Sequence, residues 1–166
     1  TPVPGALEFA QAAAARGVTV FYVSNRAAHL EEPTLANLRR LGFPIEKPEQ
    51  FLGLGFYVDD CEQQGSEKGC RRQWIGRTHR VLMQFGDQIG DMATVLVNTP
   101  EGREQAMAPY AGWVGERWFV LPNPTYGSWE PALFNNAWEL PEHERRQHGQ
   151  RGGARAKNVG WRIDYQ

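Results

Sequence analysis

Residues 18–26 read Val18-Thr-Val-Phe-Tyr-Val-Ser-Asn-Arg26, and this stretch decides the fold class. Val18 to Val23 is β-branched and aromatic with no polar alternation, the pattern of a strand buried on both faces. Ser24-Asn25-Arg26 ends it in a polar loop. Just upstream, Gly5 to Arg16 is alanine-rich, with Leu7, Phe9, Ala10, Ala13 and Ala14 at helical spacing. Pro4 suits the first turn of that helix, and Gly17 the position after its last turn. A helix passing directly into a doubly buried strand predicts an α/β sheet covered by helices.

Working toward the C-terminus, Thr34 is expected to cap a helix through about Leu41, closed by Gly42 ahead of Phe43-Pro44. A short strand falls within Phe51 to Asp59. Ser66 and Glu67 open a helix to about His79. Arg80-Val-Leu-Met-Gln-Phe85 reads as a second buried strand, and it runs into Gly86-Asp-Gln-Ile-Gly-Asp91. Glu101 to Ala111 is helical, Trp118 to Leu121 is a third strand, and Ser128 to Trp138 a last helix. No internal repeat is present.

The 166 residues suffice for one domain with a sizeable core. Apolar residues at 41% and charged residues at 22% exclude a disordered chain. A net charge of −1 gives no general attraction for nucleic acid or anionic membrane. Two cysteines exclude a disulfide-dense scaffold, and no Cys/His cluster marks a structural zinc site. Cys61 and Cys70 are a bridge in an exported protein and free thiols in a reducing compartment. Residues 139–166 form a charged extension, with six Lys/Arg against four acids. Its neutral reading is a solvated tail; a contact with nucleic acid or lipid is the alternative.

In doubly wound sheets, ligands gather beyond the carboxyl ends of the strands. Two strand ends here carry polar clusters. Ser24 offers a hydroxyl to an anionic oxygen, or simply makes a turn. Asp87 and Asp91, on a glycine-loosened loop, suit Mg²⁺, which takes one or two carboxylates, waters and substrate phosphate oxygens. Lys68 can bring an ammonium to a phosphoryl group, or be an ordinary helical lysine. Other chemistries fail on spacing: there is no C-x₅-R loop, no G-x-x-x-x-G-K-[ST], and His148 falls at i+5 from His143, off an H-E-x-x-H face.

These pieces, in this order, resemble the haloacid dehalogenase superfamily of phosphohydrolases and, within it, the class C non-specific acid phosphatases. Val20 to Ser24 matches the second motif, extended as Ser24-Asn25-Arg26. Lys68 with Arg71-Arg72 and Ile75 matches the third, and Gly86-Asp87 with Asp91 the fourth. Leu121-Pro-Asn-Pro-Thr-Tyr-Gly-Ser-Trp-Glu130 is close to a class C signature. The resemblance covers residues 2 to about 138.

The resemblance implies a Rossmann-like three-layer parallel sheet for residues 1–138. It also implies a Mg²⁺-dependent acid phosphatase that acts on small phosphomonoesters, 5′-nucleotides among them, through an aspartyl-phosphate. Lys68 and Ser24 would be catalytic. Ser24, Asn25, Arg26 and Tyr126 would bind substrate, Tyr126 by stacking, and Asp87 and Asp91 would hold the metal. Nucleic acid is not an expected partner. An exported bacterial protein, periplasmic or an outer-membrane lipoprotein, is expected from the family. One motif is missing: no D-x-D-x-T occurs in the 166 residues. With an opening of TPVPGALEFA, the chain is expected to be the larger C-terminal part of such an enzyme, without its central nucleophile strand. The alternative is a phosphate- or nucleotide-binding pseudoenzyme without hydrolytic activity.

Overall fold

The structure is a computed structural model that describes residues 1–62, 65–123 and 125–148. It divides into two compact units, Thr1–Thr78 and His79–Gln166. Each is built around one pair of parallel strands, a mixed α/β arrangement.

In the first unit, helix α1 (Ala6–Ala14) ends at Gly17, whose φ of 77° lets the Val18 N–H return to the Ala13 carbonyl. Strand β1 is Tyr22–Ala27 and pairs in parallel with β2, Phe51–Leu54. The strand thus starts four residues later than the sequence pattern indicates and includes Ser24-Asn25-Arg26, expected as a loop. The cause is the partner: Tyr22 pairs with Phe51, the first residue of β2, so residues 18–21 have no ladder to join. Nor is β1 buried on both faces, for its apolar residues are only partly covered. The buried strand is β2, where Phe51 is 2% and Leu52 0% exposed.

Between Val23↔Leu52 and Ala27↔Leu54 the register slips, so β1 bulges at Ser24 to Arg26. Gly53 fits beneath that bulge; a Cβ there would lie 3.0 Å from the Arg26 carbonyl oxygen. Buried Gln50 ties the strands' entrances together. Its Nε2 donates to the Val20 carbonyl at 2.8 Å, and its Oε1 accepts from the Glu46 and Lys47 amides.

Helix α2 spans Glu31–Arg40, and Gly42 closes it with φ 90°. Thr34 is not its cap. A 3-10 turn at Ala28–Leu30 starts the helix early, and the Thr34 hydroxyl donates to the Leu30 carbonyl from inside it. Helix α3 is Gly69–Gly76, with Lys68 rather than Ser66 at its N-cap.

In the second unit β3 (Gln84–Gly86) pairs in parallel with β4 (Trp118–Val120). Residues 80–83 lie outside the ladder, and Val81, Leu82, Met83 and Phe85 are 47–49% exposed, so the expected buried strand is neither long nor buried here. A strand is covered on both faces only where helices or a second sheet pack above and below it, and that cover is incomplete at Val81, Leu82, Met83 and Phe85.

Helix α4 (Pro100–Met107) is capped by Thr99, whose hydroxyl oxygen accepts from the Gly102 amide. Helix α5 is only Trp129–Ala132, because Asn135 and Asn136 take left-handed conformations and end it. Met92, Ala93, Met107 and Trp118 form the core, with Tyr110 packed against it. The Tyr110 and Trp118 rings lie 4.5 Å apart.

Residues 142–148 are helical, with the Arg145 guanidinium over the Phe134 and Trp138 rings. The rest of the basic extension, 149–166, lies outside the described residues. Among the described residues no helix is long and apolar enough to cross a membrane.

Tyr22 gives the first unit a pH dependence. Its hydroxyl donates to the Pro44 carbonyl at 3.1 Å and its ring meets Phe43 edge-on. Burial pushes its pKa from the usual 10 to about 12. The folded state therefore holds this proton more tightly than the unfolded chain. The contribution is complete below pH 10 and is lost as pH rises toward 12. Urea midpoints measured from pH 8 upward are expected to fall less steeply above pH 10 in Tyr22→Phe than in the wild type. Equal slopes would show that Tyr22 ionises as freely folded as unfolded.

Candidate functional site

In the first unit the predicted phosphate-binding residues converge on one they did not include. Arg71, on the first turn of α3, is 0% exposed. Its Nη1 donates to the Ser24 carbonyl at 2.6 Å and more distantly to that of Leu52. Its Nη2 donates to Asn25 Oδ1 at 2.9 Å and to the Glu67 and Ser66 carbonyls at 2.9 and 3.2 Å. One guanidinium thus joins β1, β2 and the loop that delivers Lys68. The Ser24 Oγ accepts from the Arg26 amide, so that amide is engaged rather than available to a ligand, and the hydroxyl proton remains for donation. Arg26 is exposed and Lys68 half-buried.

Cys61 and Cys70, left open by the sequence, are joined in a disulfide. It fixes the near end of α3, and a ring this short stabilises by about 2–3 kcal/mol through the unfolded chain.

In the second unit, Asp87 and Asp91 occupy the turn that leaves β3. Asp91 Oδ2 accepts from the Asp87 and Gln88 amides at 3.0 and 3.1 Å, folding the turn back on itself. Gly86 makes room: a Cβ there would fall inside contact distance of the Asp91 side chain. Asp87 Oδ2 accepts from Asn123 Nδ2 at 2.5 Å. Gln88 Nε2 donates to the Tyr126 carbonyl, and its carboxamide lies close against Gly127. The loop after β4 therefore holds the acidic turn at two points. Tyr126 itself projects into solvent, 68% exposed. Among the described residues no group of three or more His, Cys, Asp or Glu is placed to hold a metal.

Ser24, Asn25, Arg26, Lys68, Asp87, Asp91 and Tyr126 are marked as site residues by the sequence, whereas Arg71 and Asn123 have no such mark. Both lay inside quoted motifs. An arginine in an amphipathic helix carries no mark of being turned inward, and an asparagine between two prolines is what a turn alone would require.

Residues 1–129 match the family model of the HAD superfamily, subfamily IIIB (acid phosphatase). The chain belongs to that acid phosphatase family. The class C acid phosphatase from Bacillus anthracis is 28% identical and superposes with a TM-score of 0.73, over 90% of this chain and 60% of that one. The same enzyme with tungstate bound gives a TM-score of 0.74 at the same identity and coverage. The chain spans about 60% of the length of these relatives. Lys68 and Asp87 both lie inside the matched region.

Two expected outcomes rest on the local geometry around Arg71 and Gly86. Arg71→Met leaves buried carbonyls and Asn25 without their donor, and is expected to lower stability by about 3 kcal/mol or more in urea unfolding. A change under about 1 kcal/mol would mean that water replaces the guanidinium. Gly86→Ala is expected to push Asp91 off the Asp87 and Gln88 amides, speeding their hydrogen exchange about tenfold or more. Unchanged exchange there would show that the turn closes without Asp91.

Proposed function

We propose that the intact protein is a Mg²⁺-dependent phosphatase that hydrolyses small phosphomonoesters, 5′-nucleotides among them. The observation that carries this is the Gly86–Asp91 turn. It presents a carboxylate at a strand end and is gripped by the family's signature loop. The donor set fits the cation. Mg²⁺ uses one or two protein carboxylates and takes its other ligands from water and substrate. Asp87 is held through Oδ2, which leaves Oδ1 as the oxygen it would offer a metal, with Asp91 beside it in the turn. Bound there, Mg²⁺ would screen the phosphate's charge from an incoming nucleophile.

The remaining residues act on the phosphate and its ester. Ser24 would donate its hydroxyl proton to a phosphoryl oxygen, with Asn25 held in support by Arg71. Arg26 would add to substrate binding, and the Lys68 ammonium would neutralise developing charge. Tyr126, exposed on its loop, would offer a face for a nucleobase. Tungstate, bound by the 28%-identical relative, is an oxyanion like phosphate, which supports this reading.

The nucleophile in this reading is an aspartate of a D-x-D-x-T strand outside these residues. Its carboxylate attacks phosphorus, and the alcohol leaves with the P–O electrons and a proton from the second aspartate. Water then hydrolyses the acyl phosphate. The exposed Val81, Leu82, Met83 and Phe85, at a strand with one partner among the described residues, support such an additional strand. An exported location in the bacterial envelope, periplasmic or as an outer-membrane lipoprotein, belongs to the same reading, and the Cys61–Cys70 bridge supports it.

Hydrolysis of p-nitrophenyl phosphate and of a 5′-nucleotide by the intact protein is expected to stop in excess chelator. Asp87→Asn should lower kcat by about 100-fold or more while the thermal midpoint is kept. Full activity in either case would overturn the proposal. Binding of inorganic phosphate without any turnover would instead establish a binding protein that has lost hydrolysis.

A further inference from the structure

Both side-chain polar atoms of Asn123 and its carbonyl oxygen are engaged. Its Oδ1 accepts from the Thr125 hydroxyl at 2.8 Å and from the Thr125 amide at 3.2 Å. Its carbonyl accepts from Trp129 Nε1 at 3.1 Å. These contacts fix which way the amide faces. The Thr125 N–H can only donate, so the atom before it must be the oxygen, and the NH₂ must face Asp87. There Nδ2 meets Asp87 Oδ2 at 2.5 Å.

We infer that Asn123 is a positioning residue for Asp87, one that orients the carboxylate for a divalent cation without neutralising it. This rests on the metal-binding reading of Asp87 given above. A carboxylate at a turn is free to rotate about its side-chain torsions, and one strong donor on a single oxygen removes that freedom. A lysine or arginine in the same place would hold the carboxylate equally well but would cancel the charge that attracts the metal. A neutral amide holds it and leaves the charge. The clamp is rigid because Thr125 and Trp129 hold Asn123 in turn, and the second tie, Gln88 to the Tyr126 carbonyl, keeps the two loops in register.

The test is Mg²⁺ binding by calorimetry to the intact wild-type protein and to Asn123→Ala, with thermal midpoints as the folding control. The variant is expected to bind Mg²⁺ about 10- to 100-fold more weakly. Its phosphatase activity should need correspondingly more Mg²⁺ and return as Mg²⁺ is raised. If Asn123→Ala does not fold, Thr125→Val carries the test. It removes one of the holds on Asn123 and is expected to weaken Mg²⁺ binding about two- to fivefold. Wild-type affinity in the folded variant overturns the inference and leaves the assignment of Asp87 intact. No Mg²⁺ binding by the wild type overturns both.

Discussion

The Arg71 guanidinium lies wholly out of solvent, and much of the first unit is arranged by the oxygens it binds. A buried cation is tolerated only when acceptors offset its desolvation, and both Nη atoms of Arg71 have them. Here the acceptors belong to three separate pieces of chain: Ser24 and Asn25 on β1, Leu52 on β2, and Ser66 and Glu67 ahead of α3. A planar fork with fixed N–H directions holds these pieces at set distances; a lysine's single rotatable head could not. The bulge in β1 and the loop before Lys68 are therefore positioned by one side chain, and the disulfide at Cys70, the neighbouring residue, anchors that side chain's own backbone.

The second unit solves a related problem with the opposite sign of charge and without burying it. Asp87 and Asp91 remain partly exposed. Neutral donors contribute to their ordering: two backbone amides on Asp91 and one carboxamide on Asp87. Neutral donors constrain direction while sparing charge, which suits carboxylates meant for a cation. The apolar core of Met92, Ala93, Met107 and Trp118 lies directly beyond the turn, since Met92 follows Asp91 in the chain. Packing of that core and closure of the turn are consequently one local event.

Much of this was readable in the residues. The parallel α/β character, the Gly17 and Gly42 helix ends, the strand at Trp118 and the Gly86–Asp91 turn all follow from local patterns. What the residues did not reveal depends on partners distant in sequence. Apolar periodicity finds strand-like chain but not where a ladder begins. Val18 and Ser24 fell on the wrong sides of a boundary set by Phe51. Thr34 and Ser66 have the chemistry of caps, but a 3-10 turn and Lys68 occupy those positions. The run Val81–Met83 has the composition of a buried strand, but burial depends on what packs against a strand's faces, and here that cover is incomplete.

The same reasoning explains why Arg71 and Asn123 went unassigned while Lys68 and Asp87 did not. A charged residue at a strand end or helix start advertises chemistry by its type alone. A residue that orients another is defined by its partner, and the partner is 46 positions away for Arg71 and Asn25, and 36 for Asn123 and Asp87. Both long-range contacts involve a planar side chain with a fixed donor pattern. A flexible chain facing a distant partner loses more rotamer freedom on ordering than a planar group whose donors already point correctly. Positioning roles over such separations should therefore fall preferentially on Arg and Asn. In a sequence of this family, an Arg or Asn inside a motif whose acidic or lysine members are already assigned is the first place to look for what holds them.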